Sequence, residues 1–488
     1  MSKKNKVKPA IVPTEPATVK NNLTVVKDYL TSQYIQILIV ITAIGAALRL
    51  HNLSGKSLWL DEASTYYLSS YDVAKIWSIG FNGDNNPPLF HWITHIMLMF
   101  GNSEFILRFL PALMGIAVIP IIYLIGKEFK DETTGLIAAA LITYSPFCLN
   151  YAQEAYSYSM VLFVSSLMFL FYLKALNTNK IEHWLLFGFF SALAFWTHFY
   201  TFIPLVLIYA YTVLFILITK QKLTRGFICG VITTAALASP VAYMAISRFI
   251  TLSSHPVTYG VLGVSLIPET IYRFAGFNWT IAGIYIILLV FGLGYLYAHN
   301  KKMCLFAAMF LVLPIIISVI LSSKMTMNPR YLIYLLPIIF VTIASSYNLI
   351  SILIKDKRLL YVFIMGIFII NIIPLQSYYT QLRGEDWRGY SDKLYGVTAD
   401  GDTVVVMPGY MSQPLNYYYS NATDGTIELG ASTALELDTA ITQKSSGNTY
   451  FVVTGDINAA NPEGDALQWL NQRTKQIGEH TGIYTFKG

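Results

Sequence analysis

Residues 303–322 read MCLFAAMFLVLPIIISVILS, and this stretch contains no charged side chain. A helix needs about 20 mainly apolar residues to cross the hydrocarbon core of a membrane, so the stretch predicts a transmembrane helix. Similar runs recur along the chain and predict a polytopic α-helical membrane protein with about eleven spans. The predicted spans are residues 34–51, 105–127, 134–151, 157–176, 183–201, 203–219, 227–246, 281–298, 303–322, 331–353 and 359–376.

The composition supports this interpretation. Of the 488 residues, 55% are hydrophobic and only 12% are charged, whereas a soluble domain carries about 25% charged residues. So few charges cannot cover a soluble surface of this size, and lipid must therefore cover much of the protein. The net charge of +6 is small and lies mostly in short clusters between apolar runs. This pattern favours control of membrane topology over nucleic-acid binding.

Basic residues predict the orientation, because cytoplasmic loops carry an excess of lysine and arginine. They fall in alternate loops: Lys127, Lys130, Lys174, Lys180, Lys220, Lys222, Arg225, Lys301, Lys302, Lys355, Lys357 and Arg358. With an odd number of spans, the amino terminus is predicted to be cytoplasmic and the carboxyl terminus extracytoplasmic. We therefore expect a multi-pass protein of the cell (plasma) membrane.

Three parts are predicted along the chain. Residues 1–33 are polar and form a cytoplasmic tail, residues 34–376 form the transmembrane domain, and residues 377–488 form a small extracytoplasmic α/β domain. The last part is far more polar than the rest. Its predicted elements are strands at Thr403–Met407, Tyr450–Thr454 and Gly482–Phe486 and a helix at Ala466–Arg473.

The large first outer loop, residues 52–102, carries the main candidate site. Asp61 and Glu62 follow the first span directly, and adjacent carboxylates beside a membrane are costly unless they are solvated or used. Arg108 begins the second span, and Glu154 stands where the third span ends. By the predicted topology these acids and this arginine converge on one side of the membrane.

This chemistry suits transfer of a sugar from a lipid phosphate. The acceptor hydroxyl needs a general base, for which Asp61 is the best candidate. A cation must stabilise the leaving phosphate, and the planar fork of Arg108 suits that role. A single displacement would invert the anomeric centre. Each residue also has a structural alternative, since Asp61 and Glu62 can be a solvated pair and Arg108 can extend to the interface.

Histidines add further candidates. His91 and His95 are four residues apart, a spacing that also allows metal binding, although interfacial polar residues are the commoner case. His198 lies in the aromatic sequence Trp196-Thr197-His198-Phe199-Tyr200, which is also typical of a membrane-interface belt. We predict no certain cofactor and no metal ligands, and a divalent metal stays open.

An ordered series of motifs resembles membrane glycosyltransferases of the GT-C fold, in the branch of protein O-mannosyltransferases, aminoarabinose transferases and RgtA/B/C/D-like enzymes. The series covers roughly residues 58–200, with weaker support from Pro329-Arg330-Tyr331. Its members are Trp59-Leu60-Asp61-Glu62, Asn86-Pro87-Pro88-Leu89, Leu107-Arg108-Phe109-Leu110-Pro111-Ala112-Leu113, Tyr151-Ala152-Gln153-Glu154-Ala155 and Thr197-His198-Phe199-Tyr200.

The resemblance implies a polyprenyl- or dolichyl-phosphate sugar donor and surface helices in the first outer loop. It implies that Asp61 is the catalytic base, that Arg108 contacts the donor phosphate and that Glu154 helps to form the site. Many relatives have an arginine shortly after the motif glutamate, where this chain has Tyr156. A phosphate or acceptor contact is then either lost or supplied elsewhere, with Arg330 and Lys324 as the candidates.

The predicted catalytic residues are thus Asp61, Glu62 and Glu154, and the predicted substrate-binding residues are His91, Tyr151 and His198. The acceptor is a lipid, a glycan or a protein, and the sugar is mannose or another hexose. Two other functions stay open: a transporter or flippase of lipid-linked glycans, and a non-catalytic membrane subunit. A transporter would place ionisable groups near the bilayer midplane, whereas the acids here cluster at predicted helix ends.

Overall fold

A computed structural model of the chain describes residues 32–82, 86–220, 222–252, 260–356, 358–380, 384–419, 427–443 and 447–488. Nearly all of the predicted cytoplasmic tail lies outside the described residues. The same holds for Asp84 and Asn85 of the predicted first outer loop and for Lys357 of a predicted inner loop.

Up to residue 380, the described residues are helical wherever they form regular structure. The α-helices are α1 Gln33–Leu50, α2 Leu60–Ser69, α3 Val73–Asn82, α4 Leu89–Met97, α5 Glu104–Phe129, α6 Glu132–Tyr144, α7 Pro146–Ala152, α8 Tyr158–Thr178, α9 Ile181–Thr197, α10 Phe202–Thr219, α11 Arg225–Leu252, α12 Leu266–Phe274, α13 Trp279–His299, α14 Lys301–Leu321, α15 Leu336–Leu353 and α16 Leu359–Thr380. Short 3₁₀ segments cover Leu98–Phe100, Phe199–Thr201, Gly263–Ser265 and Pro329–Leu335.

Among the described residues, nine helical segments are long and apolar enough to cross a membrane. The number is ten if the bent pair α6 and α7 forms one span. The predicted fifth span corresponds to α9, which has 17 residues. All the predicted spans are therefore helical, whereas the count of eleven is not confirmed. The chain is a multi-span membrane protein.

A buried arginine occupies the bend between α6 and α7, where the axis turns by 64°. Pro146 has no N–H, so the carbonyl of Ile142 loses its helical partner. The guanidinium of Arg49, which is 1% exposed, donates instead to the carbonyl oxygen of Ile142 at 2.9 Å and to that of Thr143 at 3.4 Å. A cation at a helix carboxyl end also opposes the negative end of the helix dipole. Arg49 thereby stabilises the bend that directs α7 toward Glu154.

The C-terminal part is a five-stranded sheet with helices, which confirms the predicted α/β class. Its elements are α17 Trp387–Tyr395, β1 Thr403–Met407, α18 Ser412–Tyr419, β2 Ile427–Gly430, α19 Ala434–Thr442, β3 Thr449–Thr454, α20 Ile457–Ala460, α21 Asp465–Arg473, β4 Lys475–His480 and β5 Ile483–Lys487. The strand order is β2-β1-β3-β5-β4. Strand β1 is parallel to β2 and β3, whereas β5 is antiparallel to β3 and β4.

Helices cover both faces of this sheet, which explains why β1 and β3 are buried along their whole length. Successive side chains of a strand point to opposite faces. Val404 and Val406 accordingly pack with residues of α17 and α18, whereas Val405 and Met407 pack with residues of α19 and α21. Leu60, the first residue of α2, packs against the hydrophobic cluster that α17 and α18 form on this sheet. The sheet domain therefore packs directly against the segment that carries Asp61.

Candidate functional site

Arg108 forms a closed ion pair in the interior. Its Nε and Nη2 donate to the two carboxylate oxygens of Glu62 at 2.7 and 2.6 Å. Its other N–H groups donate to the carbonyl oxygens of Leu53, Lys56 and Ser57 at 2.7, 2.8 and 3.0 Å. A guanidinium has five N–H donors, and all of them are used here. All N–H donors of Arg108 are therefore engaged by protein groups, and its contact with the donor phosphate stays a prediction.

Glu62 is equally enclosed. Its side chain is 2% exposed, and its Oε1 also accepts the main-chain N–H of Ala155 at 2.8 Å. The Oε2 atom lies 3.4 Å from the main-chain nitrogen of Trp59, at the start of α2. Glu62 thus links α2 to the segment that contains Glu154. Its carboxylate oxygens are engaged by protein groups, whereas a catalytic acid must contact the substrate.

Asp61, the neighbour of Glu62, points toward a different cation. Its Oδ2 lies 2.8 Å from Nη1 of Arg330, and the two side chains are 20% and 18% exposed. Arg330 is positioned by the 3₁₀ segment Pro329–Leu335, and the side chain of Asn328 accepts its main-chain N–H at 3.2 Å. Proline at the first position fixes the backbone angle that such a turn requires. The structure therefore pairs the predicted base with one of the two basic residues expected to replace the missing arginine.

Aromatic rings surround the guanidinium of Arg330. Its central carbon lies 5.2 Å, 5.5 Å, 5.9 Å and 6.0 Å from the ring centres of Tyr158, Trp59, Tyr331 and Tyr156. Distances within about 6 Å allow attraction between a cation and the face of a ring. These rings exclude water from the guanidinium while leaving the side that faces Asp61 partly accessible.

Tyr156 stands at the position where the resemblance implies an arginine. Its hydroxyl lies 2.5 Å from the side-chain nitrogen of Asn86, a residue of the predicted Asn-Pro-Pro motif. Its ring lies beside Tyr158, at 5.0 Å between ring centres. The tyrosine thus occupies this place with a hydrogen bond and a ring contact, and the nearby positive charge comes from Arg330.

Glu154 is a buried acid next to this pair. It is 7% exposed, its Oε2 accepts from the side chain of Asn150 at 3.4 Å, and its Oε1 has no hydrogen-bond partner among the described residues. Burial raises the pKa of Glu154 well above its ordinary range. Arg330 opposes this shift, whereas the negative charges of Asp61 and Glu62 add to it. The raised pKa favours the protonated carboxyl, which has a proton to donate.

Gln153, which sequence reasoning did not single out, sets the position of Glu154. Its side-chain nitrogen donates to the carbonyl oxygens of Leu48, Arg49 and His51 at 3.1, 3.0 and 2.8 Å, where α1 ends. Its side-chain oxygen accepts the hydroxyl of Tyr378 at 2.9 Å. Gln153 belongs to the motif that contains Glu154, but nothing in the sequence distinguishes its uncharged amide as a functional group.

The other predicted residues are dispersed. His91 is buried, and its Nδ1 lies 3.4 Å from the hydroxyl of Ser69. Ser69 ends α2 eight residues after Asp61, which corresponds to about 12 Å along a helix. The structure therefore places His91 at the far end of α2 from Asp61.

Tyr151 and His198 contact rings of the aromatic group that surrounds Arg330. Tyr151 contacts Tyr158 edge to face at 5.0 Å, and the ring of His198 lies 5.2 Å from that of Tyr331. The Nδ1 of His198 accepts the N–H of Tyr200 at 3.3 Å, so a neutral ring carries its proton on Nε2. Lys324 is exposed in the turn after α14, whereas Arg330 reaches Asp61.

The described residues contain no group of three or more histidine, cysteine or acidic side chains able to hold a metal ion. Asp61 faces a guanidinium, which also makes it a poor partner for a second cation.

Comparisons with known proteins agree with this architecture. The sequence model of the family of dolichyl-phosphate-mannose-protein mannosyltransferases matches residues 85–244, which include Arg108 and Glu154 but neither Asp61 nor Arg330. No curated protein matches the sequence closely enough to count as a relative.

Two solved structures share most of the fold. ArnT from Cupriavidus metallidurans, bound to undecaprenyl phosphate, superposes with a TM-score of 0.60 at 13% identity, over 92% of this chain and 97% of that chain. The oligosaccharyltransferase from Archaeoglobus fulgidus, in its apo form, gives a TM-score of 0.61 at 12% identity, over 92% of this chain and 73% of that chain. The chain therefore has the GT-C fold of these membrane glycosyltransferases.

Proposed function

We propose that this protein transfers a sugar, mannose or another hexose, from a polyprenyl- or dolichyl-phosphate donor to an acceptor hydroxyl. The acceptor belongs to a lipid, a glycan or a protein at the outer face of the membrane. The observation that carries the proposal is the partly exposed pair of Asp61 and Arg330, at 2.8 Å, beside a buried acid. This pair offers a base and a phosphate-binding cation within one site.

Arg330 binds the donor phosphate in this mechanism. Its Nε is buried and has no hydrogen-bond partner among the described residues, while one Nη atom faces Asp61. A guanidinium that presents adjacent N–H groups can hold two phosphate oxygens at once. The surrounding rings lower the local dielectric constant, which strengthens the attraction between Arg330 and the phosphate.

Donor binding also prepares Asp61. When phosphate oxygens take the place of the carboxylate at Arg330, Asp61 loses its counter-ion and becomes more basic. It then accepts the proton of the acceptor hydroxyl as the hydroxyl oxygen forms a bond to the anomeric carbon. The bond from that carbon to the phosphate oxygen breaks, its electron pair stays on the phosphate, and Arg330 stabilises the added charge. A single displacement of this kind inverts the anomeric centre.

Glu154 acts as a neutral hydrogen-bond donor. In its protonated form, which the raised pKa of Glu154 favours, the carboxyl beside Arg330 and Asp61 can donate to an oxygen of the phosphate or the sugar. An ionised carboxylate at this place would instead repel the phosphate. The raised pKa of Glu154 thus suits a site that binds an anion.

Two solved structures with this fold support the choice of donor. The ArnT structure holds undecaprenyl phosphate, and a structure of AglB from Archaeoglobus fulgidus, with a TM-score of 0.52, holds an inhibitory peptide and a dolichol-phosphate. The alternating basic loops of the sequence support a cytoplasmic amino terminus and an extracytoplasmic sheet domain. We propose the same orientation, with the site at the outer ends of the helices.

The test uses purified protein in liposomes and polyprenyl-phosphate mannose labelled in the sugar, with a membrane extract as the acceptor source. The wild-type protein is expected to move label from the lipid phosphate to an acceptor. Asp61→Asn is expected to lower the rate by about 10²- to 10⁴-fold, the usual contribution of a general base. Asp72→Asn serves as a control, because Asp72 is an exposed acid of the same loop.

The other candidate functions give different results in this assay. A flippase would move the labelled lipid across the bilayer and leave the sugar attached to its phosphate. A non-catalytic subunit would transfer no label in purified form. Wild-type transfer by Asp61→Asn would remove Asp61 from the mechanism.

A further inference from the structure

The C-terminal sheet domain contacts the backbone that leads into α2. The hydroxyl of Ser57 donates to the carbonyl oxygen of Glu385 at 3.0 Å and accepts the N–H of Trp387 at 3.1 Å. The N–H of Leu58 donates to the hydroxyl oxygen of Tyr418, on α18, at 2.7 Å. The side chain of Ser57 and the N–H of Leu58, just before Asp61, are thus bound by a different domain.

Tyr418 joins this backbone to a second set of contacts. Its hydroxyl donates to Oε1 of Glu104 at 2.8 Å while it accepts from Leu58, so both functions of the hydroxyl are used. Glu104 also forms an ion pair with Arg388 of α17, and Arg388 donates to the carbonyl oxygen of Ser54 at 3.0 Å. The hydroxyl of Tyr418 in the sheet domain is therefore bonded both to Glu104 at the start of α5 and to the segment that precedes α2.

Arg108 also binds this backbone. It donates to the carbonyl oxygens of Lys56 and Ser57 at 2.8 and 3.0 Å. Trp59, which comes next, lies against the guanidinium of Arg330 at 5.5 Å. A shift of residues 57–60 would therefore move Asp61 and displace a ring that contacts its partner. Arg108 binds carbonyl groups of this backbone, and the N–H of Leu58 is bound by Tyr418.

We infer that the sheet domain is a working part of the active site and that Tyr418 is a positioning residue for Asp61. This inference rests on the proposed function, in which Asp61 is the base. Tyr418 does not touch substrate; it acts by fixing the backbone that orients the carboxylate. Misplacement of a reacting group by about 1 Å can lower a rate by about 10²-fold.

The test compares Tyr418→Phe with Tyr390→Phe in the full-length protein. The first change removes both hydrogen bonds of the hydroxyl and keeps the ring. The control removes a hydroxyl that contacts Thr485 at 2.8 Å inside the sheet domain. Tyr418→Phe is expected to lower kcat by about tenfold to a hundredfold, with the donor KM changed by less than about threefold.

A second measurement separates positioning from general damage. Amide hydrogen exchange at residues 58–66 is expected to be faster in Tyr418→Phe than in wild type or Tyr390→Phe, at an unchanged unfolding temperature. An unchanged kcat, or an equal fall of kcat in both variants, would overturn the inference and leave the proposed function standing. Wild-type transfer by Asp61→Asn would overturn the proposed base, and the inference with it.

Discussion

Asp61 and Glu62 are adjacent acids that each face an arginine, yet their surroundings differ. In the pair of Glu62 and Arg108 the side chains are 2% and 5% exposed, whereas in the pair of Asp61 and Arg330 they are 20% and 18% exposed. Successive residues of an α-helix point about 100° apart, so one acid faces the interior and the other faces the aromatic site. The comparison separates an ion pair that holds the fold from one that remains accessible to a ligand.

The largest effect is expected from breaking the enclosed pair. Arg108→Met leaves the Glu62 carboxylate buried without its cation and leaves three carbonyl groups without donors. Removal of one partner of a buried pair typically costs about 3–5 kcal/mol. The variant is expected to unfold at a markedly lower temperature or lower denaturant concentration than wild type, as measured by a thermal or denaturant titration in detergent.

A matched control is Arg473→Met, which removes the cation of an exposed pair in the sheet domain, where both side chains are 53% exposed. That change is expected to leave the unfolding temperature close to the wild-type value, since exposed pairs contribute little. Adding Glu62→Gln to Arg108→Met should restore part of the lost stability, because the unpaired charge is then removed. Wild-type stability in Arg108→Met would contradict the structural role of this pair.

An intermediate effect, on function alone, is expected at the accessible pair. Arg330→Lys keeps the positive charge but loses the planar fork, so one charge-assisted hydrogen bond to phosphate is lost. Such a bond contributes about 1.5–3 kcal/mol, equivalent to about a tenfold to hundredfold fall in kcat/KM. Transfer kinetics with a labelled lipid-phosphate sugar measure the fall, and the unfolding temperature should stay near that of wild type.

Arg473→Lys is the control for this prediction, because it makes the same change at an exposed arginine far along the chain. If Arg330→Lys lowered stability as much as Arg108→Met, the contrast between the two pairs would be wrong.

The smallest effect concerns pH and Glu154, the buried acid beside the accessible pair. Because burial raises its pKa, the protonated form is complete below the ordinary glutamate range and is lost as the pH rises through the raised value. Wild-type kcat is therefore expected to fall on the alkaline side, as a carboxylate forms beside bound phosphate. Glu154→Gln keeps a neutral donor and should flatten this alkaline fall, at a modest cost in rate.

The measurement is a profile of kcat from neutral to alkaline pH for wild type and Glu154→Gln. An alkaline fall of equal size in both proteins would assign that titration to another group. Loss of all transfer in Glu154→Gln at neutral pH would show that the carboxyl does more than donate a hydrogen bond.

The sequence predicted the helical part of the fold well, because membrane spans depend on local composition. A run such as 303–322 is apolar along its whole length, and the structure has a helix at Lys301–Leu321. Strands were also predicted at Thr403–Met407 and Tyr450–Thr454, and the structure has them at Thr403–Met407 and Thr449–Thr454. Continuous runs rich in β-branched and aromatic residues indicate buried strands. Strand β4, which is largely exposed and weakly apolar, gave no such pattern.

The candidate site was predicted only in part. The motifs marked Asp61, Glu62, Arg108 and Glu154, and the missing arginine at Tyr156 directed attention to Arg330 and Lys324. They did not reveal the pairing, in which Arg108 forms an ion pair with Glu62 and Arg330 forms one with Asp61. Spacing along a chain cannot specify pairing between residues that are tens to hundreds of positions apart.

The sequence by itself determined that this chain lies in a membrane, which residues form its helices and which charged groups cluster near helix ends. These properties depend on the hydrophobicity of short segments. Tertiary structure decided which acid is enclosed and which stays accessible, and it brought Tyr418 of the sheet domain to the backbone before Asp61. The reason is geometric: side-chain direction on a helix and contact between distant segments are fixed only when the whole chain packs.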